Sequence, residues 1–261
     1  MKHTYMFDYD IYWINCSENK VRCDHMKSLL EREFPNNKYH HVEAIMHKPK
    51  YNGITMAHMV AVMKGMTLGK PFLVVEDDII GSGGNCGGNC RSPLTPPCQG
   101  ENNDKGKGDG KGEGKGEGSQ TPDAIYLGLS YWGNMKMGRK KLLADCMNKD
   151  EKVVIINNKV FMKKGARGED WDDNFFRIRD MYGAHAILYI SKQYMVETLK
   201  ICIMAVSMNK PHDIYLPKLQ KKYLVLGQKH PWFYQLGKIG GQETGTNINF
   251  SGVRKITSEN L

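Results

Sequence analysis

The stretch PFLVVEDDII at residues 71–80 constrains this chain more than any other. Five residues of strand-forming apolar sequence run directly into three consecutive carboxylates, Glu76, Asp77 and Asp78. Alternate side chains of a strand share a face, so Glu76 and Asp78 are expected to point one way and Asp77 the other. Carboxylates converging at the end of a buried strand raise each other's proton affinity unless a cation neutralises them. Oxygen-only ligation suits Mg²⁺ or Mn²⁺, which take one or two carboxylates and complete their shell with water and phosphate oxygens. Ligands of open α/β sheets bind beyond the carboxyl ends of the strands, where this cluster falls. The plainer alternative is a set of acids that caps a turn or pairs with surface lysines. The apolar run in front of them argues against it, because surface charge runs rarely terminate a fully buried strand.

The surrounding sequence reads as alternating strands and helices, which predicts an α/β layer fold with a parallel core and a more mixed second half. DIYWIN (10–15) is a strand, and 17–34 a helix with Ser17 as N-cap and Val21, Met26, Leu29, Leu30 and Phe34 facing a sheet. A second helix is expected over 54–66, with Met56, Met59, Val60 and Met63 as a pliable core face. Further strands are expected at 123–129 and 184–191, a hairpin or strand pair at 153–162, and a helix from 191 through about 206. Residues 213–228 read as a short helix followed by a strand. The acid-rich EDWDDNFFRIRD (169–180) reads as a solvated loop, and HPWFYQLG (230–237) as mainly a packing segment.

Between about 81 and 121 the chain has almost no large apolar residues and repeats Gly with Lys and Asp/Glu, so a disordered, flexible insert in a single domain of 1–261 is expected. Cys86, Cys90 and Cys98 within it lack the paired spacing of a zinc site. With 37 Lys+Arg against 28 Asp+Glu the net charge is +9, which favours anionic partners without selecting one. Asp8 and Asp10 break any signal-peptide core, no apolar run reaches the roughly 20 residues of a membrane span, and the seven cysteines form no extracellular framework. These features predict a cytoplasmic location and no transmembrane segment.

Several short elements, in order, resemble glycosyltransferase family 25, which includes bacterial lipooligosaccharide galactosyltransferases and the collagen galactosyltransferases. VEDDI is similar to its metal-binding motif. IYWINCSENKVRCDHM resembles its first strand and loop, with Asn15 and Arg22 at the matching places and Glu18 where an Arg is common. GITMAH resembles its Gly-x-x-x-Ser-His, with His58 kept and Ala57 in place of Ser. DAIYLG and YGAHAILYIS resemble two later strands, the second with Ile187 in place of a Tyr, and PHDIYL resembles the segment that supplies Asp213.

The resemblance implies a GT-A type fold, with a mixed, mainly parallel sheet flanked by helices. It also implies metal-dependent transfer of a hexose, galactose or glucose, from a UDP-sugar to a hydroxyl of a glycan or glycoprotein acceptor, with inversion. On this reading Glu76 and Asp78 hold Mn²⁺ or Mg²⁺, with Asp77 direct or through water. Asn15, Arg22, His58 and Asp77 contact the donor, and Asp213 is the catalytic base. The residues alone leave alternatives: Arg22 as a surface residue at a helix start, His58 as a packing residue, Asp213 as a helix N-cap. Competing functions are a non-catalytic basic module that binds nucleic acid or other polyanions, another metal-dependent nucleotide enzyme, and a degenerate transferase acting as a scaffold. No nucleic-acid-binding motif is recognisable, so nucleic acid is not an expected partner.

Overall fold

β1 (Asp10–Asn15) is buried along its whole length, as a strand covered on both faces must be. In the computed structural model, which describes residues 9–81, 121–129, 153–156, 159–162, 167–171, 175–228 and 232–235, this strand lies between two parallel neighbours. They are β2 (Tyr39–Glu43) and β3 (Phe72–Glu76), each reached through a helix, α1 (Lys20–Glu33) and α2 (Lys50–Met66). The next pairings are β3 with β10 (Ala186–Tyr189), β10 with β5 (Ala124–Tyr126), and β5 with β11 (Val225–Gln228). β10 runs antiparallel to both of its neighbours, while β11 is parallel to β5.

Beyond β11 the sheet continues as an antiparallel ribbon of β9 (Phe175–Asp180), β8 (Arg167–Asp170), β7 (Lys159–Met162) and β6 (Val153–Ile156). Outside the sheet β4 (Ile79–Gly81) pairs antiparallel with β12 (Phe233–Gln235). The parallel core holds for one half of the sheet only. The Gly-rich insert and its cysteines, expected at 81–121, lie outside the described residues except for the two ends.

The pleat divides the core in two. Tyr12 and Ile14 of β1 and Phe72 and Val74 of β3 pack with Ala57, Ala61 and Val62 of α2 and with Tyr194, Met195 and Ile201 of α3 (Lys192–Ser207). Ile11, Trp13, Leu73 and Val75 face the other way, onto Met26, Leu29 and Leu30 of α1. A 3-10 turn (His212–Tyr215) and the short α4 (Pro217–Lys222) follow α3, and Leu216 and Leu219 join its side of the core.

Four local expectations are corrected. Asn19, not Ser17, caps α1, its side chain accepting from the Arg22 N–H, while the Ser17 N–H donates to Glu43. Val21 is 74% exposed, since it lies on the solvent side of the first turn. The buried face of α2 is not the methionine stripe. Gly53, Ala57, Ala61 and Gly65 face inward, and Met63 is 55% exposed. Small residues are required there, because a Cβ on Gly65 would collide with the Phe72 ring and one on Gly53 with the Ile45 carbonyl. Lastly, much of 169–180 is sheet rather than solvated loop: Phe175, Phe176, Ile178 and Asp180 are buried in or beside β9, while Trp171 is exposed. At the far end Trp232 packs on Phe34, with Phe233 buried beside it. No helix among the described residues is long and apolar enough to cross a membrane.

Candidate functional site

Parallel pairing of β1 with β3 sets Ile14 opposite Glu76, so Asn15 and Asp77 leave the sheet side by side. Asn15 Nδ2 donates to Asp77 Oδ2 at 2.7 Å. Asp77, the first residue of the turn after β3, meets α1: Arg22 Nη1 donates to Asp77 Oδ1, also at 2.7 Å. Arg22 is placed by the capped first turn of α1, which opens beyond the strand ends. Asp77 therefore has each oxygen engaged by a different element, and the pair with Arg22 is largely withdrawn from solvent, at 15% and 13% side-chain exposure.

Glu76 belongs to the opposite face, with Phe72 and Val74, and meets different company. Desolvation raises its carboxyl well above the usual range, and the charges of Asp78, Asp213 and Asp77 raise it further, with Arg22 opposing. Part of Glu76 still reaches solvent, so the group borders an open rim. Asp78 lies in the turn after β3, buried, so strand alternation does not govern its direction.

Asp213 arrives from far along the chain on the 3-10 turn. Burial raises its carboxyl, and backbone N–H groups of Ile214, of Asp213 itself and of Gly183 partly offset the shift. Gly183, at φ 113°, belongs to the segment entering β10 and adopts a backbone conformation other residues rarely take. The same segment is gripped by Gln220, whose Oε1 accepts from the Met181 N–H at 2.8 Å and whose Nε2 donates to the Met181 carbonyl at 2.6 Å. Sequence reasoning missed Gly183, Gln220 and His185. His185 faces Glu76 across β3 and β10, its carbonyl accepting the Glu76 N–H and its buried ring lying against Gly128. YGAHAI carried the signal: a glycine and a histidine directly before an apolar strand.

His58 stands apart. It is 0% exposed, its Nε2 lies 2.7 Å from the Tyr189 hydroxyl, and its ring packs on His212 with centroids 4.8 Å apart. Its described partners are in the α2–α3 core, not among the carboxylates. The structure thus brings Asn15, Arg22 and Asp77 together on one side of the β3 end and sets Glu76 in the fields of Asp78 and Asp213.

No group of three or more His, Cys, Asp or Glu side chains among the described residues is gathered so as to hold a metal ion by itself. Glu76 and Asp78 nevertheless fit a hard cation in donor type and charge. Both offer oxygen, and the repulsion that raises Glu76 is the kind a cation relieves.

The described fold is a mixed α/β sheet flanked by helices, with an acidic rim at the C-terminal end of its parallel strands. No protein-family model matches the chain, and no curated protein does. Among solved structures it is similar to a nucleoside-diphosphate-sugar pyrophosphorylase of Vibrio cholerae RC9, at 12% identity over 83% of this chain and 70% of that one, with a TM-score of 0.32. A likeness that loose carries no argument.

Proposed function

We propose that the chain is a metal-dependent glycosyltransferase of GT-A type, moving a hexose from a UDP-sugar to an acceptor hydroxyl on a glycan or glycoprotein, with inversion. The observation that carries this reading is the division of labour around the β3 end. Asp77 is paired with a cation, while its neighbour Glu76 has its proton affinity raised by burial and by the charges of Asp78, Asp213 and Asp77. The resemblance of the sequence to glycosyltransferase family 25 supports the same reading.

Glu76 and Asp78 would hold Mn²⁺ or Mg²⁺, which when bound supplies Lewis-acid stabilisation of a departing diphosphate. Arg22, oriented by Asp77, offers fixed positive charge for the phosphates, and a preformed cation costs no reorganisation as charge develops. Asn15 fixes the other Asp77 oxygen, so the Arg22 anchor does not swing. Inversion in one displacement needs a base for the acceptor hydroxyl, and Asp213 is that base. Its raised proton affinity suits the task, because a carboxylate nearer neutrality accepts a proton more readily.

Thermal-shift measurement with UDP and Mn²⁺ tests the reading. Stabilisation by the two together, exceeding that by either alone, and hydrolysis of a UDP-hexose lost in Asp78→Ala are expected. No response to any nucleotide with metal, or full activity in Asp78→Ala, would sink it.

A further inference from the structure

We propose that His212 is a positioning residue for Asp213: tied to α2 through Thr55 and packed on His58, it fixes the turn that presents the Asp213 carboxylate to Glu76. The hydrogen-bond bookkeeping is specific. Thr55 Oγ1 donates its only proton to the Tyr51 carbonyl at 2.8 Å. His212 Nδ1 lies 3.1 Å from the same oxygen, so Nδ1 must carry the proton and donate it. One turn earlier on α2, Asn52 Nδ2 donates to Asn209 Oδ1 at 2.8 Å, and Asn209 adopts φ 50°. The link from α3 to the 3-10 turn is thus held at both ends, residues 209 and 212, by two α2 residues that are also three apart.

His58 closes the arrangement from behind. The Tyr189 hydroxyl lies 2.7 Å from His58 Nε2, and Thr198 Oγ1 donates to the Tyr194 carbonyl beside it. The His58 ring is held at Nε2 and packs against the His212 ring at 41°. In front, Asp213 accepts the Gly183 and Ile214 N–H groups. The turn carrying Asp213 is thus tied to α2 on one side and to the β10 entry segment on the other. The catalytic consequence rests on the transferase reading; the clamp itself does not.

Thr55→Val removes one hydroxyl at constant shape, His212→Leu removes the donor, and His212→Asn keeps a side-chain N–H for Thr55. Amide hydrogen exchange in the full chain is the first readout. Thr55→Val and His212→Leu should each speed exchange at Gly183 and Ile214 by about tenfold, the size of one lost hydrogen bond, with β1 and β3 unchanged. His212→Asn should restore most of the protection. Unchanged exchange in Thr55→Val, or His212→Asn as fast as His212→Leu, overturns the clamp. The second readout is donor hydrolysis: Thr55→Val should lower kcat and leave the donor KM in place, and a change confined to KM also overturns it. A wild-type chain that turns over no donor counts against the transferase reading, and the exchange result then decides the clamp alone.

Discussion

Asn15 and Asp77, 62 residues apart in sequence, are joined by a 2.7 Å hydrogen bond because parallel pairing of β1 and β3 ends both strands at the same level. The bond leaves Oδ1 of Asp77 for Arg22, so one carboxylate locks two strands and a helix.

Asp77→Ala leaves the Arg22 guanidinium largely buried without this partner. At 13–15% side-chain exposure the loss should be about 2–3 kcal/mol, somewhat below that of a fully buried pair. Urea unfolding measures it. A loss under half a kilocalorie would mean that Arg22 finds equal company elsewhere.

Glu76→Gln should act in the opposite sense. The Glu76 carboxyl is raised on folding, so ionising it at neutral pH works against the folded state when no divalent ion is bound. The amide keeps the shape and removes the repulsion, so the metal-free variant should melt higher than the parent at pH 7.5. The added stabilisation by Mn²⁺ with UDP should vanish. A lower melting temperature in the metal-free variant contradicts the electrostatic account.

Acid should weaken the fold through its buried histidines. His185 and His212 are pushed down to about 4 by burial, and His58 is lowered by burial and by His212. The unfolded chain takes up these protons near the ordinary imidazole value of 6.5, the folded chain only near 4. Stability contributed by their neutral forms is therefore full above about 6.5 and lost as pH falls from there toward 4. Each contributes a slope of up to about 1.4 kcal/mol per pH unit within that window. Glu76 and Asp213, both raised, oppose this, so the clean measurement is a difference. His185→Asn should flatten the slope of unfolding free energy between pH 6 and 5, and an unchanged slope rejects the assignment.

Gly65→Ala tests the close approach of α2 to the sheet. Its methyl group would enter the space of the Phe72 ring, so despite the better helix propensity of alanine a net loss of about 1–3 kcal/mol is expected from overpacking. A stabilised variant would show that the helix is free to lift.

Sequence legibility follows from how local each cause is. FLVVE announced β3 and DIYWIN announced β1 because the apolar runs themselves form the strands. The partner of Arg22 was not legible, since it depends on which face of β3 meets α1. The methionine stripe of α2 misled because hydrophobicity identifies apolar positions, whereas the sheet required small ones at Gly53, Ala57, Ala61 and Gly65. EDWDDNFFRIRD looked solvated from its acids, yet Phe175, Phe176 and Ile178 hold it in the sheet, where β9 pairs on both sides. Nor could 186–189 be given a direction in advance, because a buried strand reads the same whichever way it runs.

That reversed strand also sets a timetable. β10, made of residues 186–189, fills the gap between β3 and β5, which end at residues 76 and 126. A nascent chain that has emerged only as far as β5 has both flanking strands and no means of joining them through their native neighbour. Asn15, Arg22 and Asp77 can meet early, since β1 and β3 pair directly. Glu76 acquires the His185 carbonyl as acceptor, and Asp213 the Gly183 N–H as donor, only when the last third of the chain is in place. Ligand binding at the acidic rim would thus report completed synthesis and folding, whereas the contacts of the Arg22 anchor need only the first 77 residues.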